Sequence, residues 1–181
     1  MIHGSWYNLG DWTVKSAGKR SMVMDDQGRS NGVDLSALHS SVGYRLRRAQ
    51  IAAFNLFIQF MAEVDIRPTQ FAILTVVRDN PGLSQSQISD ALGLKRANLV
   101  PLLDALEGRG LLVRSPSPAD RRSYCLHLTP DGQERMKEFQ ARHDAYEAEL
   151  SSQLGPAGRG ALLSLLDGIQ LVANSNGDGE E

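Results

Sequence analysis

From Asp34 onward apolar side chains recur mostly at spacings of three and four residues: Leu35, Leu38, Val42 and Leu46, then Ile51, Phe54, Ile58 and Met61. That period predicts one long helix over 34–66. With Tyr44, Phe57 and Phe60 added, its apolar surface is too broad for one core-facing stripe, so the helix is expected to pack both on its own domain and on a partner subunit. Ile66-Arg67-Pro68 ends it, because proline disfavours helical geometry in the preceding residue and is well placed to open a new helix. The second helix runs from about Pro68 to Asp79, with Phe71, Leu74 and Val77 on one side, and closes at Asn80-Pro81-Gly82. Ser84 followed by Gln87 is a capping-box pattern that starts a third helix, with Ile88, Ala91 and Leu92 inward and Gly93 as its stop.

A fourth helix spans roughly Arg96 to Glu107 and ends at Gly108-Arg109-Gly110. Pro101 removes a backbone donor and would kink this helix unless it falls near the first turn, which favours a late start near Asn98. Two short helices joined by a tight turn form a helix-turn-helix unit. Two strands, Leu111 to Ser115 and Ser123 to Leu128, then flank Pro116-Ser117-Pro118-Ala119-Asp120-Arg121-Arg122 and make a hairpin wing. Thr129-Pro130 opens a fifth helix carrying Met136, Phe139, His143 and Tyr146. Leu154-Gly155-Pro156 breaks it before a sixth, 157–172, with Leu162, Leu163, Leu165, Leu166 and Ile169. The expected fold is mainly α with a small β-hairpin wing. Residues 1–33, polar with isolated Trp6, Tyr7 and Trp12, read as a flexible arm, and 174–181 as a polar tail.

Composition changes this picture in three places. The formal net charge of -2 lends no support to nucleic-acid binding, yet the charge is divided: residues 67–131 hold eight basic and six acidic side chains, and 132–181 four basic and nine acidic. The middle can therefore face phosphate. Cys125 is the single cysteine, which excludes an internal disulfide framework and a cysteine-based zinc site and suits a reducing cytoplasm. No metal or cofactor is called for. No apolar run approaches the ~20 residues of a membrane span or resembles a signal peptide, so a cytoplasmic protein without membrane partners is expected.

The second helix of a helix-turn-helix lies in the major groove, where donor and acceptor patterns separate all four base pairs. Here its start reads Lys95-Arg96-Ala97-Asn98: arginine can grip guanine bidentately, asparagine can pair with adenine, and Ala97 offers contact to a thymine methyl. An arginine on a projecting loop suits a narrow minor groove, and Asp120 fits a role in pairing with an arginine to hold the loop's shape. The candidate DNA contacts are thus Ser84, Ser86 and Gln87, then Lys95, Arg96, Ala97 and Asn98, then Arg114, Asp120, Arg121 and Arg122.

Asp120-x-Arg122-x-x-x-Leu126-x-Leu128-Thr129 resembles the wing signature of the MarR (multiple antibiotic resistance regulator) family, and Leu102-x-x-x-Leu106-Glu107-x-x-Gly110-Leu111-Leu112 resembles the run before it. The likeness spans roughly residues 36–172. It implies a winged helix-turn-helix domain, 67–128, and a homodimer built from the helices of 34–66 and 129–173. It also implies a palindromic double-stranded DNA operator, with Arg122 as the minor-groove arginine. The family commonly loses DNA affinity on binding a small effector, often a phenolic acid, between the dimer-forming helices and the DNA-binding lobe. The run Arg96-Ala97-Asn98-Leu99-Val100-Pro101-Leu102-Leu103 is also similar to regulators of aromatic-acid degradation that answer to hydroxycinnamoyl-type CoA thioesters. The residues themselves offer Ser40, Ser41, Tyr44, Arg47 and Arg48 near Phe57 and Phe71. Arginine beside apolar walls suits a carboxylate or phosphate attached to a ring. A redox-sensing branch of the family carries a cysteine near the start of the first helix; none stands there in this chain, and Cys125 falls on a wing strand, which disfavours thiol sensing.

The resulting expectation is a repressor released from its operator by an aromatic acid or its CoA thioester. Two alternatives stand beside it: a helical dimer acting through protein contacts, and a regulator with no small effector. An enzyme is disfavoured, since His39, His127 and His143 show no paired acid at a telling spacing, and neither a phosphate-cradling glycine loop nor a nucleophile elbow occurs.

Overall fold

The computed structural model describes residues 29–30, 33–116 and 124–175. A two-residue strand pair, β1 (Arg29–Ser30) and β2 (Val33–Asp34), precedes the first helices. These pairs fall in and beside the stretch read as an unstructured arm; strands this short leave no period in a sequence. Then come α1 (Ser36–His39) and α2 (Val42–Phe60), where one helix over 34–66 is expected from periodicity. Two local causes shorten it. The Ser40 hydroxyl donates to the Ala37 carbonyl (2.9 Å) and Ser41 takes extended backbone, φ -83° and ψ 124°; serine offers the chain an alternative to the helical ladder. At the other end the chain turns at Met61–Asp65, with Asp65 in the left-handed region at φ 47°. Met61, Val64 and Ile66 are buried there without being helical, so core-facing turn residues imitate a continuing helix.

The remaining order is α3 (Pro68–Asp79), β3 (Leu83–Ser84), α4 (Gln85–Ala91), α5 (Arg96–Gly108), β4 (Leu112–Pro116), β5 (Tyr124–Leu128), α6 (Pro130–Ser151) and α7 (Gly155–Ser175). The wing sheet has three antiparallel strands in the order β3-β5-β4 rather than a bare hairpin, with Ser84 opposite Cys125 and Arg114 opposite Leu126. α5 does not start late. Lys95 is its N-cap, in extended backbone, so Pro101 sits inside the helix. What it removes is the donor for the carbonyl one turn back, at Ala97; both residues lie on the exposed side of the helix.

One continuous core joins the lobe. Ile73, Leu74, Ile88, Leu99, Leu103, Leu106, Leu112 and Leu126 fill its centre, and Phe57 from α2 with Met136 and Phe139 from α6 tie the long helices to it. Thr129 sets the turn into α6: its hydroxyl accepts from the Gly132 N–H (2.9 Å) and donates to the Gly110 carbonyl. Gly132 itself is buried against the Leu111 carbonyl, where a Cβ would lie 1.9 Å from the oxygen.

Phe57 is the single buried residue of α2, and among the described residues α7 has none. Leu162, Leu163, Leu165, Ile169 and Leu171 of α7 are exposed, together with Leu38, Val42, Leu150 and Leu154. No helix among the described residues is long and apolar enough to cross a membrane.

Candidate nucleic-acid interface

The helix-turn-helix is held by short local bonds. Ser84 caps α4: its hydroxyl accepts from Gln87 N–H (3.3 Å), and Gln87 Oε1 accepts from Ser84 N–H (2.9 Å). The turn to α5 passes through Gly93 in the left-handed region at φ 61°, a conformation glycine adopts without a Cβ penalty. Ser89 closes that turn. Its hydroxyl donates to the Leu94 carbonyl and its own carbonyl accepts the Leu94 N–H at 2.9 Å. Ser89 was absent from the candidates; a buried serine on the inner face of an otherwise polar-capped helix is the signal that marks it.

These constraints leave Ser86, Gln87, Lys95, Arg96 and Ala97 exposed, with Asn98 half-buried as its backbone N–H returns to Lys95 (2.9 Å). Ser84 is half-buried, engaged in the cap and in β3. Arg114 is placed differently from expectation. Its guanidinium is paired with Glu107 and, at 2.6 Å, with Asp104, both on α5, and its backbone N–H also reaches Glu107 (3.2 Å). It thus braces the wing's base against the recognition helix. Asp120, Arg121 and Arg122 lie outside the described residues.

Two arginines link this lobe to the end of α2. Arg109, just past α5, donates to the carbonyls of Asp65 (2.7 Å) and Val64 (2.9 Å). Arg142 of α6 donates to the Phe60 carbonyl (3.4 Å) and pairs with Glu63 (2.5 Å) and Glu138. Neither was singled out in the sequence.

The expected effector residues do not form one pocket. Tyr44 and Arg48 line a groove of about 180 Å³ with His39 and Arg45, at the join of α1 and α2. Ser40 and Ser41 are exposed at the same join, and Arg47 is exposed on α2. Phe57 and Phe71 instead are core residues, 6.0 Å apart between ring centroids, and His143 stacks on Phe71 at 4.5 Å and 17°. Tyr146 closes the cluster against Phe57, and burial pushes its phenol above the usual tyrosine range, with Glu147 adding to the effect.

His143 also has an acid one turn on, Glu147 at 4.0 Å, which corrects the expectation that no histidine is so paired. That acid is shared with Arg159 (3.5 Å), and His143 is walled by aromatic rings. His127 borders a shallow cleft of about 300 Å³ with Val77, Arg78, Pro81, Leu128 and Gln133, none of them a carboxylate.

The MarR family profile matches residues 66–124. A putative transcriptional regulatory protein for the hcr operon of Thauera aromatica is 38% identical over 146 residues, which cover 77% of this chain and 88% of that protein. The chain belongs to the MarR family. Among solved structures, the transcriptional repressor CouR bound to a 23-mer DNA duplex is 41% identical with a TM-score of 0.73, covering 76% of this chain and 98% of the other. CouR bound to p-coumaroyl-CoA is 38% identical with a TM-score of 0.71, covering 76% and 97%. This MarR-family chain is accordingly a DNA-binding transcriptional regulator rather than an enzyme, and its fold is the winged helix-turn-helix.

Proposed function

We propose that this MarR-family regulator is a homodimeric repressor of a palindromic operator, released by an aromatic acid or its CoA thioester. The observation that carries the reading is the likeness over 76% of the chain to CouR, a repressor whose structures hold a DNA duplex in one case and p-coumaroyl-CoA in the other. In this reading Ser86, Gln87, Lys95, Arg96, Ala97 and Asn98 meet the major groove, and Arg121 and Arg122 reach the minor groove beside it.

Pairing of subunits accounts for the exposed leucines of α7. Covering apolar area stabilises by about 25 cal/mol per Å², and an apolar face this wide marks an association surface rather than scattered exposure. A second copy covering α1, the first half of α2 and α7 would leave both lobes free to enter successive grooves.

Release then depends on spacing. Half-sites one turn apart require recognition helices about 34–36 Å apart, and an effector that favours another spacing by a few kcal/mol is enough to shift the population off DNA. Arg109 and Arg142 support a route for this: a displacement of α2 moves the carbonyls of Phe60, Val64 and Asp65, and Arg109 passes that movement to the end of the recognition helix.

The test is a titration of aromatic acids and their CoA thioesters against a fluorescent operator duplex carrying bound protein. At least one should restore free-duplex anisotropy in a saturable way. If every compound leaves the complex intact, effector control of this kind is wrong, and a regulator without a small effector becomes the better description.

A further inference from the structure

Leu99, Leu103 and Leu106 seat one side of α5 in the core, which fixes the side that faces out. The side chains exposed there are Arg96, Ala97, Val100, Pro101, Asp104 and Ala105. They recur three and four residues apart and so share one face of the helix. The chemistry of that face changes along the axis. Lys95 and Arg96 stand at the start, and Ala97, Val100 and Pro101 then make an apolar patch across the first two turns. One turn further on, Asp104 is paired with Arg114 at 2.6 Å, so its carboxylate is already engaged. Val100 is 36% exposed. Pro101, also exposed, takes a ladder bond from the helix without adding to the core. A local rule broken on an exposed face, with no gain in packing, is the departure expected at a functional position.

We infer that Ala97, Val100 and Pro101 form a methyl-reading surface, by which α5 selects thymines in each operator half-site through apolar contact with their C5 methyl groups. The inference rests on the major-groove placement of α5 in the proposed function and adds the class of base that is read. Thymine's methyl is the apolar group that sets it apart in the major groove, where the other base edges are distinguished by hydrogen-bond donors and acceptors. Three apolar side chains laid against a guanine or cytosine edge would strip water from those groups and return no hydrogen bond. The patch therefore favours thymine by contact and disfavours the alternatives by desolvation, the two halves of specificity. It lies on the winged lobe, apart from the helices that a second copy covers. Because it continues directly from Lys95 and Arg96 on the same helix, it enters the groove with them.

The experiment is fluorescence anisotropy of the full chain with its operator duplex and with the same duplex in which every thymine is replaced by deoxyuridine. That replacement removes the C5 methyl and keeps every hydrogen-bonding group. The variant is the pair Val100→Ser with Pro101→Ser. Serine returns the backbone N–H that proline lacks and is close to valine in helix propensity, so the exposed pair leaves the fold intact. Salt is set low enough for the variant to bind, since phosphate contacts carry the sequence-independent affinity. The wild type should bind the deoxyuridine duplex about tenfold or more weakly, because one buried methyl is worth about fourfold in affinity and a dimer loses it in both half-sites. The serine pair should bind the thymine duplex more weakly than the wild type does and hold the two duplexes to within about twofold of each other, the mark of a coupled contact. Equal affinity of the wild type for both duplexes overturns the inference and leaves DNA binding in place. So does an undiminished loss in the serine pair, which would assign the methyl effect to another side chain or to duplex shape. A wild type that binds neither duplex refutes the operator reading, and the methyl surface with it.

Discussion

Gly132→Ala should lower the melting temperature of the chain by roughly 6–12 °C, because forcing a side chain into a closed space destabilises by about 3 kcal/mol and each kcal/mol is worth about 2–4 °C at this size. The cause is specific. An added Cβ would lie 1.9 Å from the Leu111 carbonyl oxygen and 2.8 Å from its carbon, and both contacts are backbone, which cannot swing aside. Relief requires moving the start of α6, and that start is tied to Gly110 and Gly132 through Thr129. Since α6 also carries Met136, Phe139 and Tyr146 into the core, the displacement spreads. Circular dichroism melting reads the effect; a shift under about 2 °C would show that α6 does not approach Leu111 this closely.

The second large effect concerns DNA. Arg122→Ala is expected to weaken operator binding by about 30-fold or more, since loss of a specific arginine contact removes about 1–3 kcal/mol and a dimer loses it in both half-sites. Non-specific binding should fall much less, because it depends on phosphate neutralisation spread over several side chains. Fluorescence anisotropy with operator and scrambled duplexes separates the two. Equal affinity of variant and wild type for the operator would remove the wing arginine from the mechanism.

What could be read from the chain alone followed from how local the determining interactions are. The Ser84–Gln87 box and the Thr129-Pro130 start were legible because each is complete within four residues. The family resemblance rested on short motifs of the same kind. The break at Ser40–Ser41 was hidden because apolar spacing resumes in phase beyond it, and Met61 to Ile66 kept the helical rhythm while turning into the core. The contacts of Arg109 and Arg142 with the end of α2 could not be found this way: those partners lie 44 to 82 residues away along the chain. Arg114 is expected from the sequence to be a DNA contact, and only the approach of α5 shows Asp104 and Glu107 pairing with its guanidinium.

Grouping Tyr44 and Arg48 with Phe57 and Phe71 overlooked a simple length. Tyr44 and Phe57 belong to the same helix, and thirteen residues at 1.5 Å each separate them by about 20 Å. The polar and aromatic residues of the expected site therefore lie apart in this structure, in a basic groove and in a core cluster.

Regulation through duplex DNA is tested most directly by the affinity of the purified chain for DNA from upstream of its own gene across a series of salt concentrations. A saturable complex of one dimer per palindromic site is predicted, with log affinity falling linearly against log salt at a slope of about -0.9 per phosphate neutralised. A monomer, or a chain that ignores every fragment of that region at low salt, would contradict it.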